Sequence, residues 1–255
     1  MLLARGANPS LGALIRPDAS LRSVSGIAPP IHLAATTDQT EMLQLLLAAG
    51  ADPNQPDEQT TGGPNPRHFP PMTTALLEAA ESGHLEAVQI LIAAGADPDC
   101  VRGECDEFTG ESAVFMAVSR KHTEVVRALL DGGADATLPR LDGLAPIALA
   151  AGHETPEILT LLLNAGVDPS TSQGGHHETG WTPLHYTAMN GRQRSAALLL
   201  ERGADREAET ANETGHFAGG DRIVSVHSGA LPFEVAEIFG HAAIAEMLEV
   251  QWPPG

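Results

Sequence analysis

The sequence has only two cysteines, Cys100 and Cys105, and aromatic side chains make up 4% of its 255 residues. Two thiols are too few for the disulfide framework of a small secreted domain. The chain also has no apolar run long enough for a membrane-spanning helix and no signal-like N-terminus. These absences lead us to expect a soluble cytoplasmic protein with no membrane partner.

Positive charge is scarce as well. The chain has 14 Lys and Arg against 33 Asp and Glu, which gives a formal net charge of −19. Nucleic-acid phosphates require a basic surface, so this composition argues against a nucleic-acid partner. Two interpretations of the acidity stay open: it keeps the chain soluble, or it attracts a partner protein with a basic surface.

The motifs that would name a reaction are missing too. The sequence has no phosphate-cradling glycine motif, no G-x-S-x-G and no H-E-x-x-H. It therefore indicates no particular chemistry, and we expect no cofactor.

The clearest pattern that is present is the segment 180–205, GWTPLHYTAMNGRQRSAALLLERGAD. Thr182 is a good helix N-cap, and Pro183 stands where the first helical turn has no N–H group to lose. Gly191 interrupts the apolar pattern, and Gly203 closes the second run as a glycine does at a helix end. The segment predicts a helix, a tight turn, a second helix and a glycine-led exit.

The same unit recurs along the chain. Its closing glycine is followed by Ala-Asp or a close variant. Successive closing glycines are 44, 45, 38, 33 and 37 residues apart. A helix-opening tetrapeptide equivalent to Thr182-Pro183-Leu184-His185 lies ahead of each later copy. The closing glycines are Gly6, Gly50, Gly95, Gly133, Gly166 and Gly203.

The repeat resembles the ankyrin repeat, on the shortest step of 33, the TPLH tetrapeptide, the Gly83-His84-Leu85-Glu86 turn and the L-L-L-x-x-G-A-D ending. The resemblance runs from Leu2 to about Val250. It implies an all-α solenoid of antiparallel helix pairs, forming one monomeric domain over 1–255. The implied units are a partial N-terminal unit at 1–26, repeats at about 27–55, 72–98, 110–137, 142–169 and 179–206, and a C-terminal capping repeat at 229–250.

Long insertions follow the closing glycines at 53–71, 98–110, 169–179 and 206–229. In an ankyrin stack these positions form finger loops beside a concave groove, which is often the binding face. The alternative is drift in permissive loops, which costs little free energy. Within the last insertion, Ile223-Val224-Ser225-Val226 could form a strand of a short hairpin.

The resemblance implies a non-catalytic scaffold that binds a partner protein through the groove and the fingers, with an inhibitor or immunity-type protein as a special case. The finger aromatics either contact this partner or pack the loops internally. The partner-binding candidates are Phe69, Glu81, Phe108, Arg120, His153, Trp181, Tyr186, Asn190 and Phe217.

A second hypothesis is that the inserted loops roof the groove into a small-molecule or catalytic pocket. A histidine there would act as an acid or base among carboxylates, an arginine and a phenol. The residues that would line it are His153, Tyr186, Glu78, Glu81 and Arg120.

A metal site is the weakest of the predictions. Loops of successive repeats stand side by side, so thiolates and imidazoles could converge on zinc, with Asp99 or Asp106 completing a tetrahedral set. The cysteine pair has C-x4-C spacing without a second metal-knuckle pair, and a local disulfide or free thiols are the alternatives. The candidate ligands are Cys100, Cys105, His176 and His177.

Five other histidines occupy repeat positions that bond neighbouring turns and caps in the ankyrin family. We therefore expect a structural role for His32, His84, His122, His185 and His241.

Overall fold

The computed structural model describes residues 13–14, 27–57, 73–103, 110–172, 180–211, 214–218 and 222–249. The chain divides into two compact units, which span 1–141 and 142–255 and are described separately. The described residues form twelve α-helices in six consecutive pairs. The all-α fold expected from the repeat is confirmed, whereas the assignment of the whole chain to one domain stays a prediction.

Unit 1 contains three helix pairs, preceded by two short antiparallel strands, β1 and β2. The first helices of its pairs pack side by side in one row, and the second helices pack in another. The elements are β1 (Ala13–Leu14), β2 (Ile27–Ala28), α1 (Pro30–Thr36), α2 (Thr40–Ala48), α3 (Ala75–Ser82), α4 (Leu85–Ala93), α5 (Ala113–Ser119) and α6 (Thr123–Asp131).

Unit 2 also contains three helix pairs, and its first helices again pack next to one another. A hairpin lies between its second and third pairs, so the predicted strand at 223–226 is confirmed. The elements are α7 (Pro146–Ala151), α8 (Glu157–Asn164), α9 (Pro183–Asn190), α10 (Gln193–Glu201), β3 (Thr214–Ala218), β4 (Arg222–Val226), α11 (Pro232–Ile238) and α12 (Ala242–Glu249).

Local capping chemistry sets where the first helices begin. The side chain of Thr74 accepts a hydrogen bond from the N–H of Leu77, and Ser112 does the same for Phe115. At Thr182, the side chain of His185 accepts a hydrogen bond from the Thr182 N–H and so completes a capping box. These short polar contacts satisfy N–H groups that have no partner inside the helix.

The core of each unit lies between its two rows of helices. The first helices bury their apolar positions almost completely, as Leu76 and Phe115 do in unit 1 and Leu184 does in unit 2. Each second helix also buries at least one leucine, such as Leu91 and Leu162. Each pair therefore depends on its neighbours for burial, as expected for a repeat protein.

Neighbouring repeats are also joined by a ladder of side chain to backbone hydrogen bonds. In the repeats that close at Gly50, Gly95, Gly133, Gly166 and Gly203, the aspartate two positions after the glycine accepts a hydrogen bond from the N–H two residues later. In three of these repeats the side chain at that later position also accepts a hydrogen bond from the aspartate N–H of the next repeat. These ladder bonds join Asn54 to Asp97 (2.7 Å), Asp99 to Asp135 (2.7 Å) and Ser170 to Asp205 (2.9 Å).

Candidate functional site

The candidate site in unit 1 is formed by the variable residues at the ends of the first helices, which we call the groove row. The resemblance to the ankyrin repeat predicts that these positions face the groove. Most of the row is exposed, and its two glutamates are half-buried. The groove row consists of Thr36, Thr37, Glu78, Glu81, Ser82, Ser119 and Arg120.

An arginine network connects the groove row to the finger side of unit 1. Glu81 accepts hydrogen bonds from Arg102 and from Arg120, the latter at 2.6 Å. Arg102 also lies 3.6 Å from a carboxylate oxygen of Glu111, and the same carboxylate lies 4.0 Å from Arg140. The network therefore links three arginines through two glutamates.

Charge and burial oppose each other at Glu81. Burial alone would raise the pKa of this carboxyl, but the hydrogen bonds from Arg120 and Arg102 outweigh it and lower the pKa. Glu81 is therefore ionised at neutral pH and holds both guanidinium groups in place. Of the two, Arg102 is largely enclosed with 20% of its side chain exposed, and Arg120 is 58% exposed.

A second cluster surrounds His32 in α1. Its Nε2 atom lies 2.7 Å from the carbonyl oxygen of Gln55, and its Nδ1 atom lies 3.3 Å from a carboxylate oxygen of Glu78. Thr36 donates its hydroxyl hydrogen to the other Glu78 oxygen at 2.6 Å. Burial alone would lower the pKa of His32, yet the hydrogen bond and charge of Glu78 raise it.

The predicted pocket residues fall into both units. Glu78, Glu81 and Arg120 belong to unit 1, where hydrogen bonds to other side chains engage all three. His153 and Tyr186 belong to unit 2. The pocket hypothesis stays a prediction.

Trp181 is not the exposed anchor that one of the two interpretations expected. Its side chain is completely buried, 5.6 Å from the ring of His185 and 5.4 Å from the ring of Tyr186 between centroids. Tyr186 itself is only 7% exposed. These rings contribute to the core of unit 2, where a partner cannot reach Trp181 without rearrangement.

His153, another of the predicted contact residues, lies outside the helices. Helix α7 ends at Ala151, and His153 follows Gly152 in the turn, where it is buried. Asn190 is half-buried at the end of α9, and its amide donates to the carbonyl oxygen of Tyr186 at 2.9 Å. Both side chains are tied into unit 2 rather than presented freely.

Several predicted residues lie outside the described part of the chain. These are Phe69, Phe108, Cys105, His176 and His177, together with the side chain of Phe217, whose backbone lies in β3. Cys100 is a free, half-buried thiol 3.2 Å from the Thr74 hydroxyl oxygen. Burial raises the pKa of this thiol. The zinc set built on it stays a prediction.

The expected structural histidines bond as predicted. The Nε2 atoms of His84 and His122 lie 3.0 Å and 3.1 Å from main-chain carbonyl oxygens of the preceding repeat. His241 makes the same contact in unit 2 at 3.1 Å, and Arg192 replaces a histidine there, donating from Nε to the Gly152 carbonyl at 2.9 Å. His185 bonds both its cap and the next repeat.

Sequence reasoning missed Arg102, Arg140 and Asp57. The two arginines lie on finger segments, and no local pattern indicates which glutamate they approach. Asp57 lies in the insertion at 53–71, and no sequence pattern indicates that it approaches His32. The one sequence feature that indicates different surroundings for His32 is Pro29, which occupies the helix-cap position that Thr182 occupies in a later repeat.

Within the described ranges, no helix is both long enough and apolar enough to cross a membrane.

A family model for ankyrin repeats in three copies matches residues 76–173, 114–210 and 149–248, and a model for a single ankyrin repeat matches 28–58. The chain is 28% identical over 184 residues to the nuclear factor NF-kappa-B p105 subunit of Gallus gallus, which covers 71% of this chain and 17% of that protein.

Two Mus musculus proteins are also similar. The B-cell lymphoma 3 protein homolog is 33% identical over 98 residues, covering 38% of this chain and 22% of the relative. Protein phosphatase 1 regulatory subunit 27 is 40% identical over 80 residues, covering 29% of this chain and 48% of the relative. The chain therefore spans less than half the length of each relative.

Proposed function

The chain belongs to the ankyrin-repeat family, whose repeats act as scaffolds for protein–protein interaction, and from this premise we propose that it holds its partner at the groove row of unit 1. The observation that carries this proposal is Arg120. Its guanidinium is more than half exposed and is held at a fixed position by the ionised carboxylate of Glu81. Arginines in such positions are frequent energetic anchors of protein interfaces.

Preorganisation adds to the case for this surface. A side chain that is already held in one conformation loses less entropy when a partner binds, so more of the contact energy appears as affinity. Arg120 meets this condition through Glu81, and Glu81 is itself held by the largely enclosed Arg102. Two exposed apolar side chains, Val101 and Leu141, adjoin the arginines of the network in the sequence and offer apolar contact area.

The proposed partner carries a basic surface. The net charge of −19 favours long-range attraction to positive charge, and at the contact itself Arg120 would donate hydrogen bonds to a single carboxylate of the partner. A regulator that covers an enzyme is a special case. One relative, protein phosphatase 1 regulatory subunit 27, is by name a regulatory subunit of a phosphatase, and an inhibitor or immunity-type role for this chain would be analogous.

Photo-crosslinking tests the location of the interface. A photoreactive amino acid is placed at Ser119 in the groove row, or at Gln89, an exposed residue of the second helix α4. After irradiation in lysate of the source cells, Ser119 is expected to yield a defined polypeptide adduct that Gln89 does not yield. Equal adducts at both positions would contradict the proposed location.

A matched pair of arginines tests the anchor. Arg120→Ala is expected to weaken binding of the crosslinked partner at least about 10-fold, because interface arginines often contribute this much. Arg127→Ala removes an arginine of similar exposure from the second helix α6 and should leave affinity unchanged. If the two variants bind equally well, Arg120 is not an anchor. Assaying a partner enzyme with and without the chain then decides the inhibitor case.

A further inference from the structure

We propose that His32, Asp57 and Glu78 form a binding site for a divalent transition-metal ion. Their one imidazole nitrogen and two carboxylate oxygens make zinc the expected ion. One potential ligand atom from each residue lies within 4.8 Å of the other two. Ligands on a zinc ion at about 2.1 Å are separated by roughly 3–4 Å, so small side-chain rotations would bring the three donors onto one ion.

Burial distinguishes this cluster from the acidic groups common on protein surfaces. His32 is 1% exposed and Asp57 is 2% exposed. Placing carboxylates in such a position is costly unless positive charge compensates them. Glu78 completes the cluster with 19% of its side chain exposed, so the cluster is open to solvent at Glu78. A cation could therefore enter past Glu78 and reach two enclosed ligands.

Each ligand is also oriented by a second contact. The Gln55 carbonyl oxygen lies 2.7 Å from Nε2 of His32. Such a contact fixes the tautomer of metal-binding histidines, with the hydrogen on Nε2 and the lone pair of Nδ1 directed to the metal. The Thr36 hydroxyl donates to one oxygen of Glu78. The backbone N–H of Asp57 donates to the Thr73 carbonyl oxygen at 2.9 Å and so anchors the segment that carries the carboxylate.

Comparison with His185 indicates that the fold does not require this arrangement. His185 occupies the equivalent position of a later repeat, and its Nδ1 accepts a hydrogen bond from the Thr182 N–H at 3.0 Å. In the first repeat the cap residue is Pro29, which has neither an N–H nor a hydroxyl group. The Nδ1 atom of His32 is consequently directed to Glu78 instead of to its own helix cap.

The donor set indicates which ions would bind. Imidazole with carboxylates suits zinc and its neighbours in the first transition series, and three protein ligands leave a fourth tetrahedral position for water or a partner side chain. The proposed site uses none of the cysteines or finger histidines considered from the sequence. It is therefore a second, separate metal hypothesis that rests on described residues alone.

Isothermal titration of the full chain with zinc chloride, after treatment with a chelator, tests the site. The wild type is expected to bind one equivalent with a Kd in the micromolar range or below. Asp57→Asn and Glu78→Gln should each weaken binding at least about 10-fold, because each replaces a charged ligand by an amide of the same shape. Glu124→Gln, which changes an exposed carboxylate on α6, should leave it unchanged.

A Cys100→Ser/Cys105→Ser variant separates this site from a cysteine site. Binding at His32 predicts that the variant keeps its zinc equivalent and that its cobalt complex lacks thiolate charge-transfer absorption. Circular dichroism verifies that every variant is folded. Absence of zinc binding by the folded wild type would overturn the proposal, as would binding unaffected by both Asp57→Asn and Glu78→Gln.

Discussion

Two histidines at the same repeat position, His32 and His185, have opposite acid–base properties. The pKa of His32 is raised, mainly because Glu78 outweighs the effect of burial. The pKa of His185 is lowered to about 4, because burial outweighs its hydrogen bond to the carbonyl of Ala230. The two rings also differ in orientation, since Nδ1 of His185 accepts the Thr182 N–H whereas Pro29 has no N–H to offer His32, whose Nδ1 lies beside Glu78.

We predict that His185 makes folding of unit 2 sensitive to acid. In the unfolded chain its pKa is near 6.5, so below that pH the unfolded state binds a proton that the folded state does not bind until about pH 4. The stabilisation from neutral His185 is complete above pH 6.5 and is lost as the pH falls to about 4. The expected loss in unfolding free energy is on the order of 3 kcal/mol.

Urea unfolding followed by the fluorescence of Trp181 measures this effect, in a Trp252→Phe background that leaves Trp181 as the only tryptophan. The variant His185→Gln cannot titrate, so the stability difference between it and the parent should shrink between pH 7 and pH 4. A difference that stays constant over this range would show that His185 does not titrate as expected.

A matched pair of turn residues gives a second prediction at this scale. Gly83 has φ +80°, and a Cβ atom built on it would lie 2.6 Å from Cε1 of His122. We expect Gly83→Ala to cost about 2 kcal/mol or more of unfolding free energy, through backbone strain and displacement of that ring. Lys121 occupies the equivalent turn of the next repeat with φ +63°, so Lys121→Gly should instead stabilise by up to about 1 kcal/mol.

Urea midpoints of the two variants against the wild type measure these changes at pH 7. Opposite signs are the result that the geometry requires. A destabilised Lys121→Gly variant would mean that the lysine side chain contributes more than its backbone strain costs.

At the scale of helices and loops, the sequence was informative where the determinants are local. Thr74, Ser112 and Thr182 each indicate a helix start, because a cap acts within three residues. The hairpin strand at 223–226 was also predicted from local sequence, namely the run Ile223-Val224-Ser225-Val226. Glu78, Glu81 and Arg120 were predicted as candidates, but the contact of Arg102 with Glu81 was not, because the two residues are 21 positions apart and no local pattern pairs them. The burial of Trp181 likewise depends on packing.

The arginine network predicts unequal contributions from its members. Arg102→Met keeps the apolar stem but leaves Glu81 and Glu111 with less compensation in a half-buried setting, so we expect a loss of about 1–2 kcal/mol of unfolding free energy. Arg120→Met should cost less than Arg102→Met, because its side chain is largely in solvent.

Chemical denaturation at low and at high salt measures both variants, with Arg127→Met as the control for an exposed arginine of α6. Equal losses for Arg102→Met and Arg127→Met would mean that the network contributes nothing beyond ordinary surface charge.

At the scale of the whole molecule, the net charge of −19 predicts how association responds to salt. Attraction between the chain and a basic partner is screened as the Debye length shortens from about 10 Å at 0.1 M salt to about 3 Å at 1 M. We therefore expect the association rate constant to fall steeply with ionic strength while the dissociation rate constant changes little.

Stopped-flow measurement with the crosslinked partner over this salt range provides the check. A rate constant independent of salt would contradict electrostatic steering and would favour the interpretation that acidity serves solubility alone.

The ladder bonds have a consequence for how such a chain evolves. Three repeats carry an acceptor for their successor, at Asn54, Asp99 and Ser170, and the aspartates they reach supply the matching N–H donors. A tandem gene duplication would copy both halves of this joint, so the new repeat could attach on either side. Because the long insertions extend beyond these residues, fingers can gain or lose length without breaking the joint. Growth by duplication and diversification by insertion thus act on different residues of the same repeat.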